Sequence, residues 1–197
     1  VLGTIYRGIE KYKPDKVTVV WEGGGSSRRR ALYPDYKAGR KPLSLNRPYA
    51  EYEQQNPNER DNWDWQLRTL IHLLPMLKIG QIYVDDCEAD DVIATLAYQE
   101  KSPTRIVTGD RDLFQLVDDK RDVAVAYLAK GISNHDLVNL KWISQKYDIP
   151  GERYALFAMI RGDASDGLPG IKGIGEKGAA AIAQTFASMN DVIDAAL

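Results

Sequence analysis

The sequence predicts an α/β fold, a parallel sheet flanked by helices, with a short helical appendage at the C-terminal end. Two patterns carry that reading. Val17–Trp21, Gln81–Val84, Thr104–Thr108 and Val123–Leu128 are apolar runs rich in β-branched residues and too short for helices, as expected of buried parallel strands. Stretches with apolar residues at helical spacing separate them, and strands alternating with helices build a parallel sheet in layers. A third observation concerns chemistry: acidic residues stand where these runs end, at Glu22, at Glu88 and at Asp110. Open α/β sheets bind their ligands outside the carboxyl ends of the strands.

Taken in order, Leu2, Ile5, Tyr6 and Ile9 share a helical face that Pro14 ends. The strand Val17–Trp21 follows and leads to Glu22 and three glycines. A chain that opens with a helix feeding a buried strand is unusual, and an upstream βα unit is expected. Residues 23–60 read as a long insertion with little apolar periodicity, and such loops are usually functional or disordered. Asp61 is expected to cap a helix to about Lys78, with Pro75 kinking or splitting its last turn. After the strand Gln81–Val84, a helix is expected from Asp90 to Gln99 with Val92, Ile93, Leu96 and Ala97 inward. Strands at Thr104–Thr108 and Val123–Leu128 follow. Asn134 is expected to cap a helix over 135–147, and Gly151–Arg153 to open another over 154–160. Residues 168–187 predict two short helices joined by Gly170–Gly175. Right-handed crossovers between parallel strands would bring Glu22, Glu88 and Asp110 to one edge.

With 197 residues, 44% of them hydrophobic, the chain can bury a real core. No apolar run reaches the roughly 20 residues of a membrane helix, so no membrane role is expected. The single cysteine, Cys87, excludes an internal disulfide and suits a reducing cytoplasm. Two histidines make a His-rich zinc site a poor reading. The net charge of −2 conceals a segregation of sign, with Arg28, Arg29, Arg30, Lys37, Arg40, Lys41 and Arg47 set against Asp35 alone. Cations interleaved with Tyr33 and Tyr36 can neutralise phosphates while the rings stack on unpaired bases. A solvated charged loop is the plainer alternative.

The acids give the chemistry. Glu88, Asp90 and Asp91 fall within four positions, and Asp110 with Asp112 and Asp163 with Asp166 repeat the pattern. Acids at one helix start merely suit the helix dipole, but three such clusters exceed that need. Like charges so close need a cation, and oxygen-only donors favour Mg²⁺ or Mn²⁺. The run Gly170-Ile171-Lys172-Gly173-Ile174-Gly175 can offer backbone N–H groups to a phosphate and carbonyls to a monovalent cation. Gly173, Gly175 and Gly178 also spell the dinucleotide fingerprint, but no buried strand precedes them.

Five blocks in this order resemble the flap endonuclease family, which includes phage 5′-3′ exonucleases and the 5′-nuclease domain of bacterial DNA polymerase I. They are Tyr36–Arg40, Glu88–Asp91, Thr108–Asp112, Gly162–Asp166 and Leu168–Lys177. The resemblance implies a PIN-like, 5′-nuclease fold: an α/β nuclease core over 1–160 with a basic arch at about 23–60, and a helix–hairpin–helix region over 161–197. It implies two or more Mg²⁺ or Mn²⁺ ions held by Glu88, Asp90, Asp91, Asp110, Asp112, Asp163 and Asp166. Lys37 matches the lysine on the scissile phosphate and Arg29 the gateway arginine. Arg28, Arg30, Tyr33, Tyr36 and Arg40, with Gly170, Lys172, Gly173, Gly175 and Lys177, are the expected DNA contacts, and the hairpin commonly holds K⁺. The expected substrate is branched or nicked DNA with a 5′ end or flap, including RNA-primed DNA, cut in replication or repair by a cytoplasmic monomer. Glu22, also expected among the metal ligands, stands where the family usually has Asp, and the family's first strand, ending in Asp-Gly, has no counterpart. A DNA-binding protein with weakened catalysis and a PIN-like ribonuclease are therefore the alternatives.

Overall fold

The computed structural model describes residues 1–38 and 63–197. The predicted cap Asp61 and the predicted contact Arg40 lie outside them. The chain divides into two compact units, Val1–Gly25 with Gly39–Ala89, and Ser26–Ala38 with Asp90–Leu197.

In the first unit, α1 (Leu2–Tyr12) lays Ile5 and Ile9 toward Val17, Val19 and Trp21, around buried Leu70, Leu74 and Ile79. Lys13 ends the helix at φ 45°, its N–H donating to Ile9 O at 2.8 Å, and Pro14 forbids continuation. Strand β1 (Thr18–Val20) pairs in parallel with β2 (Gly80–Ile82), Thr18 opposite Gly80 and Val20 opposite Ile82. Helix α3 (Trp63–Met76) supplies Leu70 and Leu74; Pro75 sits in its last turn, where few backbone bonds remain to be lost. Gly23 is required where β1 ends: a Cβ there would lie 1.9 Å from Val84 O and 2.4 Å from Cys87 O. Hydrogen bonds from Gly23 N to Cys87 O (3.1 Å) and from Asp86 N to Gly23 O (3.0 Å) close this crossing.

In the second unit, β3 (Thr104–Thr108) and β4 (Val123–Tyr127) pair in parallel over five residues, Thr104 opposite Val123. The expectation of an all-parallel sheet needs correction here. Residues Asp136–Val138 form β5, antiparallel to β4 with Val125 opposite Val138. The helix expected over 135–147 is accordingly shorter, α5 (Leu140–Tyr147), and its cap is Asn139, whose side chain accepts from Trp142 N at 2.8 Å, rather than Asn134. Leu137 and Val138 favour a strand, and burying Val138 fully against β4 outweighs any propensity for a longer helix. Among the described residues β1–β2 and β3–β4–β5 are separate sheets.

Around this second sheet stand α4 (Ala89–Gln99), α6 (Tyr154–Arg161) and α7 (Glu176–Thr185). Val125, Val138, Ile143, Phe157, Ile160, Ala179 and Ala183 are fully buried in the shared core. A ring cluster of Phe114, Tyr127, Trp142, Tyr147, Tyr154 and Phe157 meets at centroid distances of 5.1–6.3 Å, edge-on or tilted, the arrangement ring quadrupoles favour. Two helices were not expected from the sequence: α2 (Ser27–Leu32) and α8 (Met189–Ala196). Both start at a serine cap, Ser26 accepting from Arg29 N and Ser188 forming a reciprocal box with Asp191. The expected pair of short helices over 168–187 resolves differently. Only α7 lies in that span, and the helix before the glycine turn is α6.

Candidate metal and phosphate site

Strand β3 ends at Thr108, and the next residues fold back on themselves. Asp110 N donates to Thr108 Oγ1 at 3.0 Å, and the Asp110 carboxylate accepts from Asp112 N at 2.9 Å. Asp112 then begins a 3-10 turn, Asp112–Leu116, anchored by buried Leu113 and Phe114. This hook leaves Asp110 exposed and Asp112 half-buried.

A second hook follows α6. Gly162 at φ 76° and Gly170 at φ 65° pass so closely that a Cβ on Gly162 would lie 2.3 Å from Gly170 N. Asp163 and Leu168 exchange backbone hydrogen bonds of 2.8 Å each way. Inside this ring the Asp163 carboxylate accepts from Ser165 N (2.8 Å) and Ser165 Oγ (2.6 Å), and Asp166 is buried.

How near the two hooks come was beyond the sequence; Asp112 feels the charges of both. The Asp112 carboxyl is pushed above its ordinary value, first by burial and then by the charges of Asp110, Asp163 and Asp166, with Arg161 opposing them. Carboxylates from both loops therefore lie near enough to act on Asp112. Asp163 shifts the other way: burial would raise it, but the Ser165 hydroxyl and N–H, with Arg161, hold it below the usual range. Arg161 was not singled out in the sequence. Its guanidinium stands 5.3 Å from the Phe157 ring centre, and Nε donates to Gly162 O at 3.2 Å. Its place directly before the Gly-Asp of the acidic loop was the available signal.

The basic segment reaches the same unit. Its backbone docks on the second hook: Lys37 N donates to Asp166 O at 2.9 Å, and Gly167 leaves room for Asp35 O, which a Cβ would meet at 2.6 Å. Lys37 Nζ lies 3.5 Å from Asp166 Oδ2. Arg29, on α2, makes a two-pronged pair with Asp91 at the start of α4, both contacts 2.6 Å. Tyr36 departs from expectation. It is only 8% exposed, with Lys37 Nζ 5.0 Å and Arg29 Cζ 5.9 Å from its ring centre. Its ring supports two cations, and burial takes it away from base stacking. Arg28, Arg30 and Tyr33 are exposed.

Glu22 and Glu88 belong to the first unit. Glu88 is buried, and the exposed Glu22 carboxylate lies 3.4 Å from Ala89 N, facing a helix start. Asp90 is half-buried in the first turn of α4. In the glycine turn, Gly170 and Gly173 have positive φ, 65° and 85°, whereas Gly175 does not; it precedes α7 without a side-chain cap. Lys172 and Lys177 are exposed beside it.

The donor set suits a hard divalent cation: all-oxygen, multiply charged and mutually repelling. Among the described residues no three acids lie close enough together to hold a metal ion by themselves. That is compatible with Mg²⁺, which keeps several of its waters and takes few direct protein ligands.

Known proteins resemble this chain along most of its length. The family described as 5′-3′ exonuclease, N-terminal resolvase-like domain, matches residues 1–148. A 5′-3′ exonuclease of Streptomyces coelicolor is 38% identical over 190 residues, covering 96% of this chain and 62% of its own length. A 5′-3′ exonuclease of Mycobacterium tuberculosis is 35% identical, covering 95% of this chain and 60% of its own. The chain thus spans about six tenths of the curated relatives it matches. Among solved structures, the bacteriophage T5 flap endonuclease in a pseudo-enzyme–product complex with DNA and metal ions superposes with a TM-score of 0.76. It is 20% identical and covers 98% of this chain and 68% of that one, a likeness of fold.

Proposed function

Because this chain belongs to the 5′-3′ exonuclease family and has its resolvase-like 5′-nuclease fold, we propose that it hydrolyses phosphodiesters near 5′ ends and flaps of branched or nicked DNA, with divalent metal ions. The observation that carries this reading is the approach of Asp110, Asp163 and Asp166, from two loops, to half-buried Asp112, with Lys37 beside Asp166.

Asp110, Asp112, Asp163 and Asp166 would hold the ions; Glu88, Asp90 and Glu22 keep the assignments their motif positions give them. Bound divalent ions supply Lewis-acid polarisation of the phosphate and an acidified water. The chain's own residues orient and balance charge. Lys37, fixed by its backbone bond to Asp166, presents an ammonium to charge that grows on the transferring phosphate. Arg161 offsets repulsion between Asp112 and Asp163. Arg28 and Arg30, exposed on α2, are suited to phosphate contacts outside the reacting centre.

Residues 1–160 would form the nuclease core and 161–197 a helix–hairpin–helix grip on duplex DNA, with K⁺ at residues 170–175. RNA-primed DNA as a substrate, a monomeric state and a cytoplasmic location in a bacterial or phage-infected cell complete the reading. The grip predicts a specific asymmetry. Valine at Gly175 meets no crowding and no positive φ. Gly175→Val should therefore keep the melting temperature yet weaken duplex binding about tenfold, one contact of about 1.4 kcal/mol. Gly173→Val, at φ 85°, should lose stability as well. Equal losses on single-stranded DNA would remove the hairpin from duplex binding.

One observation favours a second reading, a DNA-binding protein with weakened cleavage. Glu22 faces the Ala89 N–H at 3.4 Å, a helix-start role that needs no metal. Labelled 5′-flap DNA, blunt duplex and RNA, each with Mg²⁺ and then with EDTA, distinguish the readings. Metal-dependent cleavage of the flap is expected; flap binding without cleavage supports the second reading, and preference for RNA supports a ribonuclease.

A further inference from the structure

We infer that Asp91 is a positioning residue for Arg29 rather than a metal ligand, an inference that rests on the nuclease reading for what Arg29 does. Both carboxylate oxygens of Asp91 are engaged by one guanidinium, Oδ2 by Nη1 and Oδ1 by Nη2, each at 2.6 Å. A planar fork meeting a planar carboxylate fixes direction as well as distance. The contrast with Lys37 and Asp166 is informative. Lys37 Nζ stands 3.5 Å from Asp166 Oδ2, longer than either contact of the fork.

Three further features hold the Arg29–Asp91 pair in place. Asp91 lies in the first turn of α4, where the helix dipole stabilises a carboxylate. Its own carbonyl accepts from Thr95 Oγ1 at 2.8 Å, inside the helix. Arg29 has its N–H on Ser26 Oγ at 3.2 Å and its guanidinium 5.9 Å from the Tyr36 ring centre. The side chains remain about 40% exposed, so the pair adds little to stability. Its consequence is orientation. The fork fixes the plane and direction of the guanidinium, which sets how Arg29 would meet a phosphate. Drawing Asp91 into a metal shell would instead dismantle it.

The test is a double-mutant cycle on the full chain with Asp91→Asn, Arg29→Gln and the double variant. The readouts are Mn²⁺ affinity by calorimetry, single-turnover flap cleavage at saturating metal, and urea unfolding. Asp91→Asn should keep Mn²⁺ affinity within about twofold of wild type and slow single-turnover cleavage about 10²-fold, the scale of a misplaced group. Arg29→Gln should match that loss and the double variant should add nothing. Arg29→Lys should not rescue, because an ammonium cannot form the fork. Loss of Mn²⁺ affinity in Asp91→Asn, or rate losses that multiply in the double variant, would overturn the inference. So would a lowered urea midpoint with an unchanged rate. Should wild type leave flap DNA intact, the nuclease reading fails separately. The Mn²⁺ titration then decides: affinity kept in Asp91→Asn upholds the inference, and affinity lost overturns it.

Discussion

Asp112→Asn is expected to abolish metal-dependent cleavage, by about 10³-fold or more on the scale of lost electrostatic stabilisation, while making the metal-free protein more stable. The second effect follows from the raised titration of Asp112. A carboxyl held above its unfolded value keeps its proton longer in the folded state. Stability therefore falls as pH rises from the ordinary Asp range through the folded value, and the penalty is fully present at neutral pH. Asparagine removes it, so the melting temperature of the metal-free variant should rise. The gain should shrink as the pH drops through the acid range. Asp163→Asn should do the reverse. That carboxyl lies below its ordinary value because Ser165 and Arg161 favour its charge, so its contribution is present above the ordinary Asp range and lost as pH falls further. Melting curves of both variants at pH 4 and pH 7.5, without metal, check the signs. If both variants destabilise, the repulsion assigned to Asp112 is wrong.

Lys37→Ala should slow cleavage of bound flap DNA about 10²–10³-fold, because a cation at the phosphate matters most as charge shifts in the transition state. Binding should weaken far less. Arg28→Ala and Arg30→Ala should show the opposite pattern, flattening the salt dependence of binding by about 0.9 of a log–log unit per lost phosphate contact. The backbone supplies a control. Lys37 sits at φ 55°, costly for any side chain with a Cβ. Lys37→Gly should keep more of the wild-type melting temperature than Lys37→Ala yet cleave no faster. Single-turnover rates with melting curves separate charge from conformation, and a normal rate in Lys37→Ala would remove the residue from the active site.

What the sequence revealed depended on whether the signal was local. Strands β3 and β4 were legible because each is a continuous apolar run bounded by turns. Strand β5 was not: Asp136–Val138 is too short for any periodicity, and only its pairing with Val125–Tyr127 defines it. Helices α2 and α8 carried readable caps at Ser26 and Ser188. One lay within a stretch read as loop, and the other lay beyond the motifs that drew attention. The acids were readable as clusters, since spacing is local. How the loops Thr108–Asp112 and Gly162–Leu168 come to lie near one another was not, because it depends on two glycines passing at contact distance and on Phe114 and Ile160 seating both loops in one core. Tyr36 shows the same limit. A tyrosine between cations suits a stacking platform or a buried support equally well, and only burial distinguishes them.

The central claim is that these two loops form one divalent-cation site. Calorimetric titration of Mn²⁺ into DNA-free protein, wild type against Asp112→Asn at pH 7.5, tests it most directly. A site built on Asp112 predicts saturable binding that weakens at least tenfold in the variant, a loss of about 1.4 kcal/mol or more. Equal affinity in the two proteins would contradict the claim and leave the coupled acids without a metal to explain them.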